Sequence, residues 1–577
     1  MNPNGKTLRW IWNVSGKAKK NVYLLVAVKV LHSLTGVLYA LLLQQVVDSA
    51  TGQNDKSLGV SLAYFAGLIL LTIALQAIVR YLSEKTKARL EKTFRQRLFS
   101  QLLSRDYAGV CATHTGEWMN RMTSDVNVVI NGVTQIVPDF SGSMIRILSA
   151  AAALTLMVPG LVIALLSGGI AIAVVSLAFR KKLKIYHSKI QTADGKVRSF
   201  LQESMQGLPV IHSFNREDGM QESAAALMDE HMRIRLKRMH FVNFCNVVIR
   251  SALQGAQFLG VALCGWMILQ GQITYGSMSA ILHLVSQLES PLAGISKYIP
   301  QYYSMIASAE RLMEPESYEK DAEETPKQAE EIREFYQNDF VALHLDDVSF
   351  AYRDNEKVRV LDSVSFTLKK GASLAITGES GCGKSTLLKL LLGLYKSNQG
   401  EVSLETVSGE RIALDTGYRS LFAYVPQGNL LFSGTVREML SFSDKTLMHD
   451  DEKLWNALRV AAADEIIAQR PEGLDAMLGE GGRGFSEGQI QRLAIARAIL
   501  FERPILLFDE ATSSLDEETE RKVLNNIKEM TGYTVILVTH RKHPALLVIT
   551  GWIFRAMGSM LQKNKEVMQN ECRNLCK

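Results

Sequence analysis

Long uninterrupted runs of apolar residues in the first half of the 577-residue chain constrain its fold more than any other feature. A helix needs roughly 20 apolar residues to cross a hydrocarbon layer of about 30 Å. Six stretches meet or nearly meet that length, and they cover residues 22–47, 58–79, 135–157, 161–179, 244–269 and 277–299. The first is too long for a signal-peptide core and has no small-residue cleavage site. We therefore predict six membrane spans rather than buried helices of a water-soluble core.

Basic residues are concentrated in two of the connecting loops. Residues 81–125 carry eight Lys and Arg and residues 180–238 carry twelve, whereas the other three loops hold only Lys56. Because cytoplasmic loops carry the excess of positive charge, both long loops and the N-terminal segment are predicted to face the cytoplasm. Apolar residues recur at helical spacing within residues 81–103, so we expect the spans to continue as long cytoplasmic helices.

The composition of the whole chain excludes several classes of protein. Hydrophobic residues make up 47% and charged residues 21%, which is too apolar for a disordered protein. The net charge of +6 is modest for this length, so no nucleic-acid partner is predicted. The six cysteines are scattered without paired C-x-x-C units, which supports neither a zinc site nor a secreted disulfide framework.

The character of the sequence changes after residue 313. Residues 314–340 are acidic and interrupted by prolines, which is typical of a linker. From residue 341 onward, short β-branched runs alternate with helical patterns, which indicates an α/β domain. The predicted organisation is a helical membrane domain over residues 1–313, a linker over 314–340 and an α/β domain over 341–577.

A phosphate-binding pattern opens the first helix of the predicted α/β domain. Residues Gly378, Glu379, Ser380, Gly381, Cys382, Gly383, Lys384 and Ser385 fit G-x-x-x-x-G-K-[ST] between an apolar strand and a helix. The glycines let backbone N–H groups turn towards phosphate oxygens, and the helix start adds a positive dipole. Lys384 would reach the β- and γ-phosphates and Ser385 would ligate Mg²⁺. This loop alone predicts only a nucleoside triphosphate.

Two carboxylates end a later apolar strand at Asp509 and Glu510. An Asp at this position can hold Mg²⁺ through water, and an adjacent Glu can polarise the water that attacks the γ-phosphate. Two acids after a strand are often only loop or helix-cap residues. Here they follow the phosphate-binding pattern in the expected chain order, which favours the catalytic interpretation.

Residues 485–489, Phe-Ser-Glu-Gly-Gln, make the resemblance to a family specific. The chain resembles ATP-binding cassette (ABC) transporters of the exporter type. These are half-transporters that fuse a six-helix membrane domain to one nucleotide-binding domain, as in bacterial multidrug, lipid and peptide exporters. The resemblance covers about residues 15–540 and rests on 378–386, Gln427 in YVPQ, 485–489, 505–510, 513–516 and His540 in LVTH. It implies a multi-domain membrane protein with an all-α transmembrane domain and an α/β P-loop ATPase domain.

The same resemblance implies roles for further residues. Tyr352 would stack on adenine, and Thr386 would complete the ATP-binding loop. Gln427 would approach Mg²⁺ and sense the γ-phosphate, while His540 would hydrogen-bond the γ-phosphate and the attacking water. The residues that would act on ATP held by a second subunit are Ser486, Gly488, Gln489 and Asp516.

The implied function is ATP-driven export, or leaflet translocation, of a small or amphipathic substrate by alternating access. The machine would be a homodimer or a heterodimer in a bacterial plasma membrane, with ATP and Mg²⁺ as cofactors. Whether the substrate is a drug, a lipid or a peptide stays open. The alternative, a membrane ATPase acting as a sensor or gated channel, is disfavoured by the presence of Glu510 and His540.

Polar residues near the spans either line a substrate path or pair between helices; they are Lys29, His32, Asp139, Arg146, Arg250, His283 and Glu289.

Three positions depart from the family pattern or stand out within it. Glu487 replaces the usual glycine of the signature, and we expect it to change the ATPase rate or affinity. The tail after His540 contains no Asp, and Gly558 is its candidate turn residue. Cys382 lies inside the phosphate loop, where a positive field is expected to make its thiol a target for alkylation.

Overall fold

A computed structural model of the chain describes residues 3–54, 56–294, 298–321, 327–352, 358–379, 381–428, 431–530, 532–540, 550–553 and 562–563. The chain separates into two compact units. The membrane unit comprises Met1–Ser100 with His114–Glu314, and the ATPase unit comprises Gln101–Thr113 with Pro315–Lys577. A short piece of the first long loop therefore belongs with the C-terminal part of the chain.

Twelve α-helices occupy the described residues up to Met313. They are α1 (Pro3–Val14), α2 (Lys19–Ala50), α3 (Leu58–Ser104), α4 (Tyr107–Cys111), α5 (Thr115–Asn120), α6 (Val126–Asn131), α7 (Val137–Met157), α8 (Pro159–Gln206), α9 (Leu208–Ser213), α10 (Glu217–Leu269), α11 (Tyr275–Gly294) and α12 (Tyr298–Met313). Of these, α4 lies in the ATPase unit.

Three of these helices are far longer than a bilayer requires. The lengths of α3, α8 and α10 are 47, 48 and 53 residues. At 1.5 Å per residue, each extends about 70–80 Å, more than twice the hydrocarbon thickness. In α3, an apolar first half is followed by a charged second half without a break, as the sequence predicts. In α8, the helix ends at Gln206, just before Gly207 and Pro209.

Within the described residues, three helical stretches are long and apolar enough to cross a membrane: Gly16–Ala50, Leu58–Ser104 and Thr115–Met157. A shorter apolar helix covers Gln257–Leu269. The predicted spans 161–179 and 244–269 fall in α8 and α10. The predicted span 277–299 runs from α11 into α12 across residues outside the described ranges. The count of six spans stays a prediction.

The core of the membrane unit lies where α2, α7, α10 and α11 meet. Side chains from all four helices are fully or almost fully buried there, including Ala40, Leu154, Cys264, Ile281 and Leu284. Helix α2 packs on both α7 and α11, while α8 packs along α10. Small residues such as Ala40 and Ala280 are fully buried at these contacts and let the helix backbones approach closely. Close packing of this kind holds helices together in a membrane, where the surrounding lipid is as apolar as the side chains and the hydrophobic effect does not favour association.

Two larger sheets and one two-stranded sheet form the described part of the ATPase unit. The strands are β1 (Phe340–Phe350), β2 (Leu361–Lys369), β3 (Ser373–Thr377), β4 (Gln399–Thr406), β5 (Arg411–Ala413), β6 (Phe422–Val425), β7 (Gly434–Thr435), β8 (Met477–Leu478), β9 (Ile505–Asp509), β10 (Thr534–Val538), β11 (Thr550–Ile553) and β12 (Gln562–Lys563). One sheet is antiparallel with the order β2-β1-β4-β5. The other has the order β12-β11-β3-β10-β9-β6, with parallel pairing from β11 to β6. The remaining two strands, β7 and β8, pair with each other.

Helices of the ATPase unit cover these sheets and position its loops. They are α13 (Ala329–Glu334), α14 (Lys384–Leu391), α15 (Val436–Leu440), α16 (Asp451–Val460), α17 (Asp464–Ala468), α18 (Glu487–Leu500) and α19 (Glu517–Glu529). The described part of the predicted linker thus contains α13 together with a 3₁₀ turn at Glu314–Ser317 and a π-helical turn at Phe335–Asp339. Strands β3, β9 and β10 are buried and nearly all apolar, as expected for a parallel sheet covered on both faces. Their carboxyl ends therefore lie at one edge, where such sheets bind ligands.

Candidate nucleotide site

The phosphate loop connects β3 to α14 with backbone angles that favour glycine. Gly381 and Gly383 have φ of 83° and 98°, and a Cβ on Gly383 would lie 2.9 Å from the Leu361 side chain. Lys384, the first residue of α14, is only 5% exposed. Its ammonium donates to the carbonyls of Gly378 (2.9 Å) and Glu379 (2.8 Å). The loop is therefore a compact turn with a cation held over it.

Asp509 ends β9 and is bonded to the phosphate-loop helix. The Ser385 hydroxyl donates to Asp509 Oδ1 at 3.0 Å, and the Tyr424 hydroxyl donates to Oδ2 at 3.2 Å. The Asp509 residue is 1% exposed. Burial raises the pKa of Asp509, and the two hydroxyl donors act in the opposite direction. The arrangement offers oxygen donors from two chain segments at the edge of the sheet, the ligand type that Mg²⁺ prefers.

Glu510 occupies a strained backbone position between two polar side chains. Its φ is 53°, in the left-handed region that non-glycine residues rarely adopt, and its N–H donates to Val538 O at 3.1 Å. The Gln427 amide donates to Glu510 Oε2 at 2.7 Å, while His540 Nε2 lies 2.5 Å from Oε1. Strained residues held in place by surrounding structure are common at functional sites. The structure thus brings two predicted catalytic side chains, Gln427 and His540, to the carboxylate of a third, Glu510.

Tyr352 follows β1 and contacts the phosphate-loop helix. Its hydroxyl is 2.8 Å from Thr386 Oγ1, and its ring packs edge-on against Phe350 and Tyr395, with ring centres 5.0 and 5.5 Å apart. The side chain is half-buried. The predicted adenine-stacking residue is therefore adjacent to the predicted phosphate-binding residues.

The signature residues form the N-terminus of α18. Ser486 is the N-cap and accepts a hydrogen bond from the Gln489 N–H at 3.4 Å, while Gln489 Oε1 accepts from the Ser486 N–H at 3.0 Å. This reciprocal capping box starts the helix. Phe485 is held from outside the helix by Arg470, whose guanidinium lies 3.7 Å from the ring centre and donates to Gly484 O at 2.5 Å. Glu487 is exposed in the first helical turn.

The segment after Glu510 packs directly on the signature helix. Gln491 donates from its amide to the hydroxyls of Ser513 and Ser514, both at 3.2 Å, and accepts from the Ser514 N–H at 3.0 Å. A Cβ on Gly488 would lie 2.9 Å from Ser514 O. Asp516 is the N-cap of α19 and accepts from the Thr519 N–H at 2.9 Å, a hydrogen bond that lowers the pKa of Asp516.

The predicted site residues fall into two groups. One comprises the phosphate loop with Tyr352, Gln427, Asp509, Glu510 and His540; the other comprises Ser486, Gly488, Gln489 and Asp516. No hydrogen bond or ion pair joins the signature residues to the phosphate loop within the part of the chain that the structure describes. Ser380 lies outside the described residues, as do Gly558, Cys572 and Cys576 of the tail.

Cys382 does not have the environment that the sequence suggested. The residue is 6% exposed and packs in the core with Leu361, Leu387 and Ile376. A thiol needs partial exposure as well as a positive field to react readily. The expectation of ready alkylation is therefore corrected: the thiol points into the core and acts as a small apolar side chain.

Several residues at the site were not singled out from the sequence. Tyr424 stands three residues before Gln427, and only its position at the carboxyl end of β6 could have signalled a role. Gln491 and Arg470 hold the signature helix through contacts between segments that are distant in the chain. Tyr395, at the end of the α14 segment, and Tyr107 in α4 pack towards Tyr352.

The membrane unit contains a cavity with charged walls. Its volume is about 530 Å³, and its lining includes Lys29, Arg80, Glu84 and Asp139 together with the apolar side chains of Leu25 and Val79. Lys29 and Asp139 form an ion pair at 3.0 Å. In the same unit, His32 Nδ1 and Arg146 Nε are buried without a hydrogen-bond partner among the described residues. The side chain of Glu289 is outside the described part of the structure.

Comparison with known proteins places both parts of the chain in one family. Residues 22–292 match the model for the ABC transporter transmembrane region, and residues 361–513 match the model for ABC transporters. The chain is similar in fold to a bacterial Atm1-family ABC exporter solved with ATP bound. That likeness has a TM-score of 0.79 at 20% identity and covers 97% of this chain and 99% of the other.

Two relatives illustrate the sequence similarity. An ATP-dependent lipid A-core flippase of Pseudomonas fluorescens (strain Pf0-1) is 31% identical over 485 residues, covering 82% of this chain and 78% of the relative. The uncharacterized ABC transporter ATP-binding protein YwjA of Bacillus subtilis is 28% identical over 509 residues, covering 87% and 86%. The resemblance predicted from the motifs is confirmed: the chain belongs to the ABC transporters, as an exporter-type member that couples ATP hydrolysis to transport across a membrane.

Proposed function

We propose that two copies of this chain bind two ATP molecules head to tail, each between the phosphate loop of one copy and the signature helix of the other. The observation that carries the proposal is the exposed, self-capped start of α18, which, among the described residues, makes no hydrogen bond or ion pair with the phosphate loop of its own chain. A helix N-terminus attracts anions through its free N–H groups and dipole. A second copy would bring a γ-phosphate to it.

Lys384 would bind the phosphates of ATP in the phosphate loop. Its ammonium would exchange the carbonyls of Gly378 and Glu379 for the β- and γ-phosphates. The Ser385 hydroxyl and the Asp509 carboxylate, already in contact at 3.0 Å, would hold Mg²⁺. The ion usually takes only one or two carboxylates from protein and completes its shell with water and phosphate oxygens, so this donor pair fits. When bound, it would neutralise charge on the β- and γ-phosphates.

Glu510 would activate the attacking water. As the water oxygen bonds to the γ-phosphorus, the bond to the bridging oxygen breaks and a water proton passes to the carboxylate. Gln427 and His540 fix both carboxylate oxygens, and this holds the general base in one orientation. Loss of the γ-phosphate would remove the contact between the copies and release them. ATP would thus favour the closed pair by interactions that only that state makes.

We also propose that the substrate is an amphipathic molecule with a charged head group. The lining of the cavity in the membrane unit supports this, because it combines ionic side chains with apolar ones. The flippase relative is named for a lipid substrate, which favours the same class. The basic loops of 81–125 and 180–238 support an orientation with the ATPase unit in the cytoplasm. The sensor or channel alternative is not favoured, since two relatives are named as ATP-dependent flippases and the fold neighbour is named as an exporter.

Transport into inverted membrane vesicles tests the proposal. Wild-type chain with Mg²⁺ and ATP should accumulate a fluorescent phospholipid in the lumenal leaflet, and Glu510→Gln should not. Lys29→Gln, at the wall of the cavity, should lower transport of anionic or zwitterionic lipids while ATPase activity persists. Equal lipid movement in wild type and Glu510→Gln would contradict an ATP-driven exporter.

A further inference from the structure

Aromatic rings connect the adenine side of the nucleotide site to α4. The Tyr352 ring contacts the Tyr395 ring at 5.5 Å and 89°, and Tyr395 contacts the Tyr107 ring at 5.7 Å and 82°. Both contacts are edge-to-face, a preferred geometry for aromatic pairs. Phe350 packs against both Tyr352 (5.0 Å) and Tyr395 (5.3 Å). These rings form a continuous row within the ATPase unit.

Helix α4 is fixed to the ATPase unit by backbone hydrogen bonds. The Asp106 N–H donates to Glu319 O at 2.9 Å, and the Asp321 N–H donates to Ser104 O at 3.1 Å. The guanidinium of Arg105 donates to Tyr318 O at 2.8 Å. Residues 104–106 therefore behave like a strand paired with 318–321, and Tyr107 follows directly from that pairing.

The segment 318–321 is itself held on the same unit. Arg419 makes two hydrogen bonds to the Asp321 carboxylate, at 2.7 and 3.1 Å, and also donates to the carbonyls of Leu392 and Gly393. Those carbonyls close the helix that starts at the phosphate loop, two residues before Tyr395. Displacement of α4 would consequently act on Tyr395 through both its backbone anchor and its ring.

The environment of Tyr395 is apolar enough to keep the ring neutral. Burial, with smaller contributions from Tyr352 and Cys111, raises the pKa of Tyr395 to about 12. The hydroxyl of Tyr352 is hydrogen-bonded to the Thr386 hydroxyl at 2.8 Å. The contacts of Tyr395 with the neighbouring rings thus depend on ring position rather than on charge.

We propose that Tyr395 and Tyr107 are positioning residues for the nucleotide base. They hold the Tyr352 ring in one orientation and transmit occupancy by the base to α4, the loop segment that continues from the long helix α3. The inference rests on the proposed role of Tyr352 in stacking on adenine. Coupling between two sites is reciprocal. If ATP shifts the equilibrium between two positions of α4 by some factor, the same shift of α4 changes the affinity for ATP by that factor.

The test compares ATP with inorganic tripolyphosphate, which has the phosphates but no base, on the full-length protein in nanodiscs. Tyr395→Leu should weaken ATP binding about three- to tenfold, the range expected for lost aromatic contacts, and leave tripolyphosphate binding unchanged. Tyr395→Phe keeps the ring and should bind both as wild type does. Tyr107→Leu should act in the same direction with a smaller effect. Equal weakening of both ligands, or no weakening of ATP, would overturn the inference.

Two further measurements separate positioning from general damage. Tyr352→Leu should itself weaken ATP binding but not tripolyphosphate binding. Adding Tyr395→Leu to it should weaken ATP binding no further, since Tyr395 acts through Tyr352. Full additivity of the two losses would overturn the inference.

Amide exchange at residues 106–112 should slow with ATP more than with tripolyphosphate, and this difference should vanish in Tyr395→Leu. Persistence of the difference would also overturn it. If the wild type itself does not prefer ATP to tripolyphosphate, the proposed role of Tyr352 fails instead.

Discussion

The phosphate-loop half and the signature half of the ATPase unit are built in opposite ways. In the first, Lys384 and Asp509 are 5% and 1% exposed, and each is hydrogen-bonded to neighbouring groups, while Gln427 and His540 lie at the exposed rim. In the second, Ser486 and Glu487 are exposed, and the hydrogen bonds that Ser486 makes to side chains of the described residues lie within its own helix turn. One half gathers the side chains predicted to bind Mg²⁺ and to activate water. The other presents a helix start to the outside, as expected for a surface that meets another copy.

This difference determines what substitutions should do. A buried polar group that loses its partner costs about 1–3 kcal/mol of stability as well as function. At the helix start, loss of the Ser486 cap costs about 0.5–2 kcal/mol of stability, whereas a substitution at the exposed Glu487 changes stability by about ±0.5 kcal/mol. Substitutions there should therefore act mainly on the shared ATP site. The predictions below test that division, starting with the largest effect.

Glu510→Gln should reduce the ATPase rate by about 10²–10⁴-fold, the range for loss of a general base. ATP binding should persist, because the phosphate loop and Asp509 are unchanged. Steady-state phosphate release together with equilibrium ATP binding provides the measurement. Glu529→Gln, an exposed carboxylate at the end of α19, is the matched control and should hydrolyse ATP at the wild-type rate. Hydrolysis near the wild-type rate in Glu510→Gln would remove the carboxylate from the mechanism.

Gly488→Ala tests whether the signature half needs close contact with residues 513–516. Its Cβ would lie 2.9 Å from Ser514 O, so the backbone must shift at a cost of about 1–3 kcal/mol. We expect a rate loss of about tenfold or more, with ATP still bound by the phosphate loop. Thermal unfolding and ATPase activity measured on one preparation separate the two effects. An unaltered rate would show that α18 adjusts freely.

Much of the nucleotide site could be predicted because its motifs are local. The phosphate loop is one strand, one turn and one helix start, and the acids 509–510 follow one apolar strand. The chain could not reveal that Tyr424 donates to Asp509 or that Tyr107 reaches Tyr395, because those contacts depend on strand order and on a loop that docks from a distant segment. The reactivity of the Cys382 thiol was predicted wrongly for the same reason, since nothing in the local sequence shows that its side chain faces the core. The roles of the site residues stay predictions.

The membrane unit was predicted in outline only. Hydropathy located the apolar runs, and the helices α3, α8 and α10 continue beyond them as expected. Hydropathy does not determine which polar side chains meet. The ion pair of Lys29 with Asp139, and that of Arg311 with the buried Asp125, follow from the packing of helices that are far apart in the chain.

Tyr424→Phe should have a moderate effect confined to the phosphate-loop half. It removes one of two hydroxyl donors to Asp509, and losing a donor to a carboxylate raises the carboxyl pKa further above its usual range. Because the metal requires the ionised form, the acid limb of the pH–rate profile should move to higher pH. The apparent Mg²⁺ requirement should rise a few-fold. Burial raises the pKa of Tyr424, so the wild-type hydroxyl stays protonated across that range. An identical profile in Tyr424→Phe would contradict this.

Glu487→Gln should have the smallest effect and the opposite sign. Removing an exposed carboxylate beside a triphosphate should tighten ATP-driven association by a few tenths to about 1 kcal/mol, up to roughly fivefold, while removing a charge that favours the helix start. The apparent ATP affinity for hydrolysis, measured at low and high salt, provides the check. The gain should shrink at high salt, because exposed charges are screened. No difference at any salt concentration would place Glu487 away from the bound phosphates.

Complementation between two inactive variants tests the shared ATP site most directly. Lys384→Ala should disable the phosphate-loop half of each nucleotide site, and Ser486→Arg should disable the signature half, so that either variant alone has no ATPase activity. Co-expressed or mixed with subunit exchange, they should recover about a quarter of the wild-type ATPase rate, because half of random pairs are mixed and each mixed pair keeps one intact site of two. Recovery to that level is the result we predict. No recovery in the mixture, or near-normal activity of either variant alone, would contradict a nucleotide site built from two copies.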